Sequence, residues 1–367
     1  TFLESTGIYH FPLFCYLVDC GFNASIINPI ITHSTKNGNI RKVKNDKIDS
    51  KGIAKLGLSK DIPVSQFPAK LVLELRSLTR KYYDLTDERS AHINKLKGDL
   101  HTVFPQYLDV FCDVTGKTST MILRQYGTPD KILRGHKKTM IEKISKASRK
   151  GLAKASERYE KLCAAANAAK TFGCQIDSIY FNIFLTLDLV EKLDSALDSI
   201  LNRIRQLITF NKNEKFIQQI KLLNTIPGVG FLTAVTIMCE IGDFSAFRNP
   251  KQLFAYFGLD PEVNESGKFV GTQLHMSKRG SRIARRAIFA VALASIRTKR
   301  NGEGINPYLR KYYELKSGQK PKMVAIGAVM HKVCNIVFAV LRDEKAFELR
   351  SPEEHCKQYQ RPALAAA

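Results

Sequence analysis

Val43-Lys44-Asn45-Asp46-Lys47-Ile48-Asp49-Ser50-Lys51 sets two carboxylates three residues apart in a basic surround, just ahead of the apolar positions Ile53, Leu56 and Leu58. With Asn45 as the cap of a helix, Asp46 and Asp49 project from one face of its first turns. Acids at a helix start are favoured by the macrodipole, so a solvated helix N-terminus is one reading of the pair. The other reading brings in Glu4, which ends the apolar, strand-like start Phe2-Leu3-Glu4. Three acids from a strand end and a helix start can gather round Mg²⁺, a cation that prefers oxygen ligands and phosphate-bearing substrates.

Outward from this stretch, residues 1 to 66 alternate strand and helix signals in the α/β manner. After Glu4 comes a helix with Leu13, Tyr16 and Leu17 on one face, stopping at Cys20-Gly21. Ala24-Ser25-Ile26-Ile27 then reads as a buried strand closed by Asn28-Pro29. A basic loop, Lys36 to Lys44, leads into the Asp46/Asp49 helix, and Ile62-Pro63-Val64 reads as an edge strand.

Beyond residue 70 the period becomes helical. Leu71, Leu75, Leu78, Tyr82 and Leu85, then Ile93, Leu96, Leu100 and Val103, recur at three-and-four spacing until Pro105. A second long helix over 178 to 210 carries Leu185, Leu189, Leu193, Leu197, Ile200, Ile204 and Ile208. Between them lies a basic helical insert, with 11 Lys or Arg against three Glu from Lys131 to Lys161. Two such helices make either an antiparallel coiled coil, spacing domains or joining a dimer, or two members of an ordinary bundle.

The third region opens at Leu222-Leu223-Asn224-Thr225-Ile226-Pro227-Gly228-Val229-Gly230. The turn with Gly228 and Gly230 resembles a helix-hairpin-helix, in which glycines let backbone N–H groups approach a phosphate. A plain tight turn between packed helices is the competing reading. Residues 231 to 241 follow as a buried helix. From Gly271 to Arg300 there is no acid and there are eight Lys or Arg, centred on Ser277-Lys278-Arg279-Gly280-Ser281-Arg282-Ile283-Ala284-Arg285-Arg286. Ser277 is a helix cap or a nucleophile whose charge development Lys278, Arg279, Arg282, Arg285 and Arg286 can offset. The local residues favour the cap, and Ser281 rivals it in either role.

The totals point the same way. The 367 residues carry 57 Lys plus Arg against 34 Asp plus Glu, a net charge of +23 that calls for a polyanionic partner, nucleic acid first among them. No apolar run stands out as long enough to span a bilayer, and no signal peptide is seen, so the expectation is a cytoplasmic protein with no membrane partner. The eight cysteines form no Cys-x-x-Cys pair and read as buried reduced thiols rather than zinc ligands or a disulfide frame. The start without Met leads us to expect upstream sequence, and the closing Ala363-Leu364-Ala365-Ala366-Ala367 is set aside.

Taken in order, these segments resemble the DEDD transposases of the IS110 family, insertion-sequence recombinases that work with a structured bridge RNA. The resemblance is carried by Glu4-Ser5-Thr6-Gly7 with Tyr9 and Asn28-Pro29; Lys44 to Asp49 followed by Ala54; the Ile226-to-Gly230 turn followed by Thr233-Ala234; Phe254-Ala255-Tyr256-Phe257-Gly258-Leu259-Asp260-Pro261; Ser277-Lys278-Arg279-Gly280; Asn306-Pro307-Tyr308; and Leu341-Arg342-Asp343. It implies an α/β RNase-H/RuvC-like catalytic domain over 1–66 and a helical coiled-coil and basic insert region over 67–215. A mainly α-helical transposase domain with the helix-hairpin-helix-like turn over 216–350 and a tail over 351–367 would follow. It places Glu4, Asp46 and Asp49 on three of four family acids that bind Mg²⁺, the first acid lying upstream of Thr1, and Ser277 on the family's catalytic serine, reversing the local preference. Lys278, Arg279, Arg282, Arg285, Arg286, Gly228 and Gly230 become the nucleic-acid contacts. DNA, a guide RNA and further copies of the chain in a homo-oligomer are the implied partners. A RuvC-like nuclease using water, and a non-catalytic nucleic-acid-binding remnant, are the alternatives.

Overall fold

The computed structural model describes residues 1–4, 9–27, 46–59, 69–212, 214–262, 265–266, 269–270 and 275–354. The chain divides into two compact units, Thr1–Val72 and Leu73–Ala367.

In the first unit, strand β1 (Phe2–Glu4) pairs in parallel with β2 (Ser25–Ile27), Phe2 opposite Ser25 and Glu4 opposite Ile27. Parallel neighbours need a crossover, and helix α1 (His10–Asp19) supplies it. The helix ends where the sequence predicts: Gly21, at φ +80°, turns the chain through the left-handed region. Phe14, Ala24 and Ile27 are buried. Helix α2 (Asp46–Ser59) packs on β1, and at Gly57 any larger residue would run into the Phe2 ring. Of its apolar positions Ile53, Leu56 and Leu58, only Leu56 is buried, while Ile53 is half-buried and Leu58 is 85% exposed. Successive helical residues turn by about 100°, so Leu56 and Leu58 point nearly opposite ways. The Asn45 cap, Asn28-Pro29, the loop Lys36 to Lys44 and the strand Ile62-Pro63-Val64 lie outside the described residues.

The second unit is helical apart from one short hairpin among the described residues. Helices α3 (Lys70–Val103) and α9 (Asp177–Phe210) have 34 residues each, close to the predicted spans. At the helical rise each is about 50 Å long. They run antiparallel: Arg89 Nε meets Asp194 Oδ1 at 2.5 Å, and Tyr180 Oη donates to the Val103 carbonyl at 3.4 Å, so ascending from 89 to 103 matches descending from 194 to 180. Between them, α4 (Tyr107–Val110), α5 (Lys117–Gln125), α6 (Pro129–Arg134), α7 (Lys137–Ser148) and α8 (Leu152–Phe172) close over one end of the pair. Leu96, Leu100, Tyr107, Ile122, Met140, Leu162 and Ile183 make a common core there. The buried Tyr107 hydroxyl is satisfied by Ser119 Oγ at 2.9 Å.

After α9 come α10 (Lys215–Leu223), α11 (Phe231–Ile241), a 3₁₀ turn at Phe244–Ala246 and α12 (Pro250–Tyr256). The hairpin of β3 (Glu265–Ser266) and β4 (Phe269–Val270) follows, then α13 (Arg282–Ile296), α14 (Pro307–Ser317) and α15 (Lys322–Asp343). Helix α15 is the axis of this bundle, touching α10, α12, α13 and α14. It corrects the expectation that no segment is apolar enough to span a bilayer: an 18-residue stretch within its 22 residues reaches a mean hydropathy of 2.0. Burial explains that composition, since Ala325, Val329, Val333, Cys334, Val337 and Leu341 are packed by helices on several sides. The thiol expectation also changes. Of the seven described cysteines, all free, Cys239 and Cys334 are buried, whereas Cys20, Cys112 and Cys174 are exposed.

Candidate active site

Ser277 stands on a short antiparallel pairing of segments 258–262 and 275–278. The Lys278 N–H donates to the Gly258 carbonyl at 3.0 Å, the Ser277 N–H to Asp260 O at 2.8 Å, and the Glu262 N–H to His275 O at 2.8 Å. Pro261 lies opposite Met276. The segments approach so closely because two glycines face each other: a Cβ on Gly280 would sit 1.9 Å from the Tyr256 carbonyl, and Gly258 adopts φ +65° against the Arg279 and Gly280 amides. Lys278 is left-handed at φ +52°, a strain of about 1 kcal/mol for a residue with a side chain. On this frame the Ser277 hydroxyl donates to Asp260 Oδ1 at 2.6 Å, the length of a charge-assisted O–H···O⁻ bond.

Four residues on, Ser281 resolves the rivalry over the helix cap. Its Oγ accepts from the Ala284 N–H at 3.1 Å, making Ser281 the N-cap of α13. The same hydroxyl donates to Glu240 Oε2 at 2.7 Å. Glu240 is buried at the end of α11 and takes a two-point grip from Arg80 of α3, at 2.8 and 2.9 Å. Tyr256 Oη bonds the Glu240 carbonyl and Arg76 Nε the Cys239 carbonyl. Burial works to raise the Glu240 carboxyl, but hydrogen bonds from Arg80 and Ser281, aided by the Arg80 and Arg76 charges, outweigh it and hold the group below its ordinary value. Helices α3 and α13 are thus tied to the Glu240 carboxylate on α11, and α12 to its backbone carbonyl.

The five basic residues after Ser277 separate into two kinds. Arg285 reaches back to the Phe257 and Gly280 carbonyls at 3.2 and 2.7 Å, and burial depresses its pKa. Arg286 pairs with Asp87 Oδ1 at 2.7 Å and covers the Tyr83 ring at 4.8 Å. Arg282 meets Asp87 Oδ2 at 3.4 Å with its side chain 81% exposed. Lys278 and Arg279 are exposed and make no ion pair among the described residues. Asp260, Glu240 and Asp87 were not singled out as partners from the sequence. Only Asp260 carried a signal, as the acid of a Gly-Leu-Asp-Pro turn upstream of an acid-free stretch.

The glycine turn joins α10 to α11, which pack together. Gly228, at φ +97°, lies against α13: a Cβ there would fall 2.5 Å from Ser295 Oγ, which itself donates to the Pro227 carbonyl. Gly230 is different. It caps α11 without a side chain, is exposed, and has open space beside it, leaving the first amides of that helix accessible.

In the first unit, Glu4 ends β1 and Asp49 lies on α2, the helix that packs on β1; both side chains are half-buried. The Asp46 side chain lies outside the described residues. Among the described residues no three His, Cys, Asp or Glu cluster as a metal site. The donors in question are all carboxylates, which suits a hard cation such as Mg²⁺.

Two family models match the chain. Residues 1–105 match a DEDD transposase model and residues 220–314 the model described as the transposase IS116/IS110/IS902 family. The 43.6 kDa protein of insertion element IS110 from Streptomyces coelicolor is 23% identical over 286 residues, 77% of this chain and 66% of that protein. The pilin gene-inverting protein of Moraxella bovis is 30% identical over 177 residues, 48% of this chain and 52% of that protein. The 44.8 kDa protein of insertion element IS116 from Streptomyces clavuligerus is 24% identical over 311 residues, covering 84% and 74%. The chain therefore spans about half to three quarters of the length of these relatives.

Proposed function

The chain belongs to the IS110 family of insertion-sequence transposases, and from that premise we propose that it cuts and rejoins DNA strands with Ser277 as nucleophile. The observation that carries this reading is the Ser277 hydroxyl, held on a rigid pairing and bonded to a carboxylate while Ser281 does the capping. Attack of Ser277 Oγ on a strand phosphate leaves a phosphoserine link, which conserves the bond for later rejoining. Lys278 and Arg279 stand exposed beside it to offset charge on the phosphate, with Arg282 at the start of α13. Arg285 and Arg286 serve by holding the frame, through the Gly280 carbonyl and Asp87. The accessible amides at Gly230 suit a backbone phosphate.

The first unit, with its parallel βαβ start, is read as an RNase-H/RuvC-like domain. Glu4, Asp46 and Asp49 would hold Mg²⁺, which when bound polarises the scissile phosphate. The +23 charge suits a protein that grips backbones while a guide RNA chooses the sequence, acting in the cytoplasm. The metal acids and the serine belong to different units, and we propose a homo-oligomer with a shared site.

The test is Ser277→Ala in the full-length protein. Strand exchange and any covalent protein–DNA adduct should vanish while DNA binding persists. Cleavage that continues with a water nucleophile would overturn the serine reading. Asp46→Ala should abolish metal-dependent cleavage with binding retained.

A further inference from the structure

Helix α15 carries a glycine, Gly327, inside its span, and glycine weakens a helix interior where nothing needs to come close to it. Among the described residues nothing does: a Cβ on Gly327 would meet no atom within 4 Å beyond its own helix turns. The space is part of a cleft of about 490 Å³ in the second unit, lined from α13, α15, Met276 and Asp87 of α3. That volume is in the range of small-ligand sites, about 300–1,000 Å³, and too small for a duplex. Met276, Phe289, Ile326 and Met330 give it apolar walls, and Met323, 65% exposed, adds a further apolar side chain. Three of the chain's six methionines are gathered here, and polarisable thioethers favour flat aromatic rings.

The cleft is also cationic. Arg282, Arg285 and Arg286 line it against one acid, Asp87, so three positive charges meet one negative. Arg285 spends its donors on backbone carbonyls, and Arg282 keeps 81% of its side chain in solvent. A neutral apolar ligand would leave the charge unanswered, and a bare anion would leave the walls uncovered. A nucleotide satisfies both, and because paired bases are stacked inside their duplex, it must be an unpaired one. We infer that this cleft takes one unpaired DNA nucleotide, its base on the Met276, Phe289 and Met330 walls and its phosphate at Arg282. Asp87 favours DNA over RNA. Both its oxygens are engaged, by Arg286 and Arg282, so the lining offers a ribose 2′-hydroxyl no uncommitted carboxylate. The apolar walls hold a base by its face and do not choose among bases. Strand exchange passes through unpaired nucleotides, and the cleft keeps one from pairing again. The inference rests on the reading that the chain acts on DNA, and it holds whichever group attacks the phosphate.

The experiment compares Gly327→Leu with the parent in the full-length protein, with the transcript of the element's flanking region present in every arm. The probes are a duplex of the element's own junction with a short single-stranded gap, the same duplex fully paired, and the gapped duplex with ribonucleotides in the gap. Leucine fills the empty space and suits a helix better than glycine, so the thermal midpoint should stay level or rise. We expect Gly327→Leu to bind the gapped DNA about ten-fold or more weakly than the parent does, while the paired duplex loses less than about two-fold. Arg282→Ala should weaken both DNA probes and lower the slope of binding against salt by about one, as loss of a phosphate contact does. Three outcomes overturn the inference: equal effects of Gly327→Leu on gapped and paired DNA, a ribonucleotide gap bound as tightly as the DNA gap, or an unchanged salt slope in Arg282→Ala.

A cross-link in the parent protein guards against a folding defect in Gly327→Leu. Iodouracil placed in the gap couples, under near-ultraviolet light, to aromatic and sulfur side chains that touch it. The cross-link should map to Phe289, Met276, Met323 or Met330, and cross-links confined to residues outside the cleft sink the proposal. Failure of the underlying reading looks different: the parent would then bind neither the gapped nor the paired DNA.

Discussion

Ser277 and Ser281 sit four residues apart in the same basic stretch, yet their surroundings differ in kind. Ser281 is enclosed: its hydroxyl caps α13 and binds a carboxylate that is buried and gripped by Arg80. Ser277 lies on an extended segment, bound to a half-buried carboxylate at the surface with exposed Lys278 and Arg279 beside it. A buried, paired acid is a structural anchor, because breaking it strands a charge in low dielectric. The contrast teaches that the burial and pairing of the partner carboxylate, more than the serines' own neighbours in sequence, distinguish the two hydroxyls.

Substitutions can break this contrast, and the largest effect belongs to Ser277. Ser277→Ala should reduce adduct formation at least about a thousand-fold while shifting the thermal midpoint by less than about 2 °C; a strongly destabilised but active variant would invert the assignment. Glu240→Ala should do the reverse. It leaves the Ser281 hydroxyl and the half-exposed Arg80 without their partner and should lower unfolding free energy by about 2–3 kcal/mol, read from urea melts. Ser281→Ala removes the cap and one bond to Glu240, for about 1–2 kcal/mol, with adduct formation changed only a few-fold. Lys278→Gly relieves the left-handed strain and is the mildest. It should gain about 0.5 kcal/mol after the added chain entropy, with somewhat slower adduct formation from the lost charge.

The Glu240 carboxyl also sharpens the comparison through pH. Its folded pKa is depressed, so its stabilisation is fully present above the unfolded value near 4.3 and fades as pH falls through the lower folded value. Glu240→Gln should lose stability at neutral pH and flatten the part of the acid limb that this group contributes, visible as converging urea midpoints of parent and variant below about pH 4.

Much of the fold was legible because local chemistry settles it. The three-and-four spacing of apolar residues predicts both long helices to within a residue or two. Gly21 and the run 231–241 mark a helix end and a buried helix where they occur. The apolar content of α15 was underread, because Lys322, His331, Lys332 and Arg342 interrupt the run in sequence while helical geometry gathers its apolar residues into a core. At the candidate site, the serine and the basic run could be picked out by type, but their division of labour could not. Arg282, Arg285 and Arg286 look alike in the chain but divide in space: Arg282 and Arg286 meet Asp87, which comes from α3 far away in sequence, whereas Arg285 turns back to the Phe257 and Gly280 carbonyls.

Side-chain periodicity, the punctuating glycines and the surplus of cations alone determined the helices, the parallel start and the search for a polyanion. Only tertiary structure decided which serine closes a helix and which faces Asp260. That choice depends on which acids arrive from distant segments and how deeply they are desolvated, and those quantities exist only once the chain has packed.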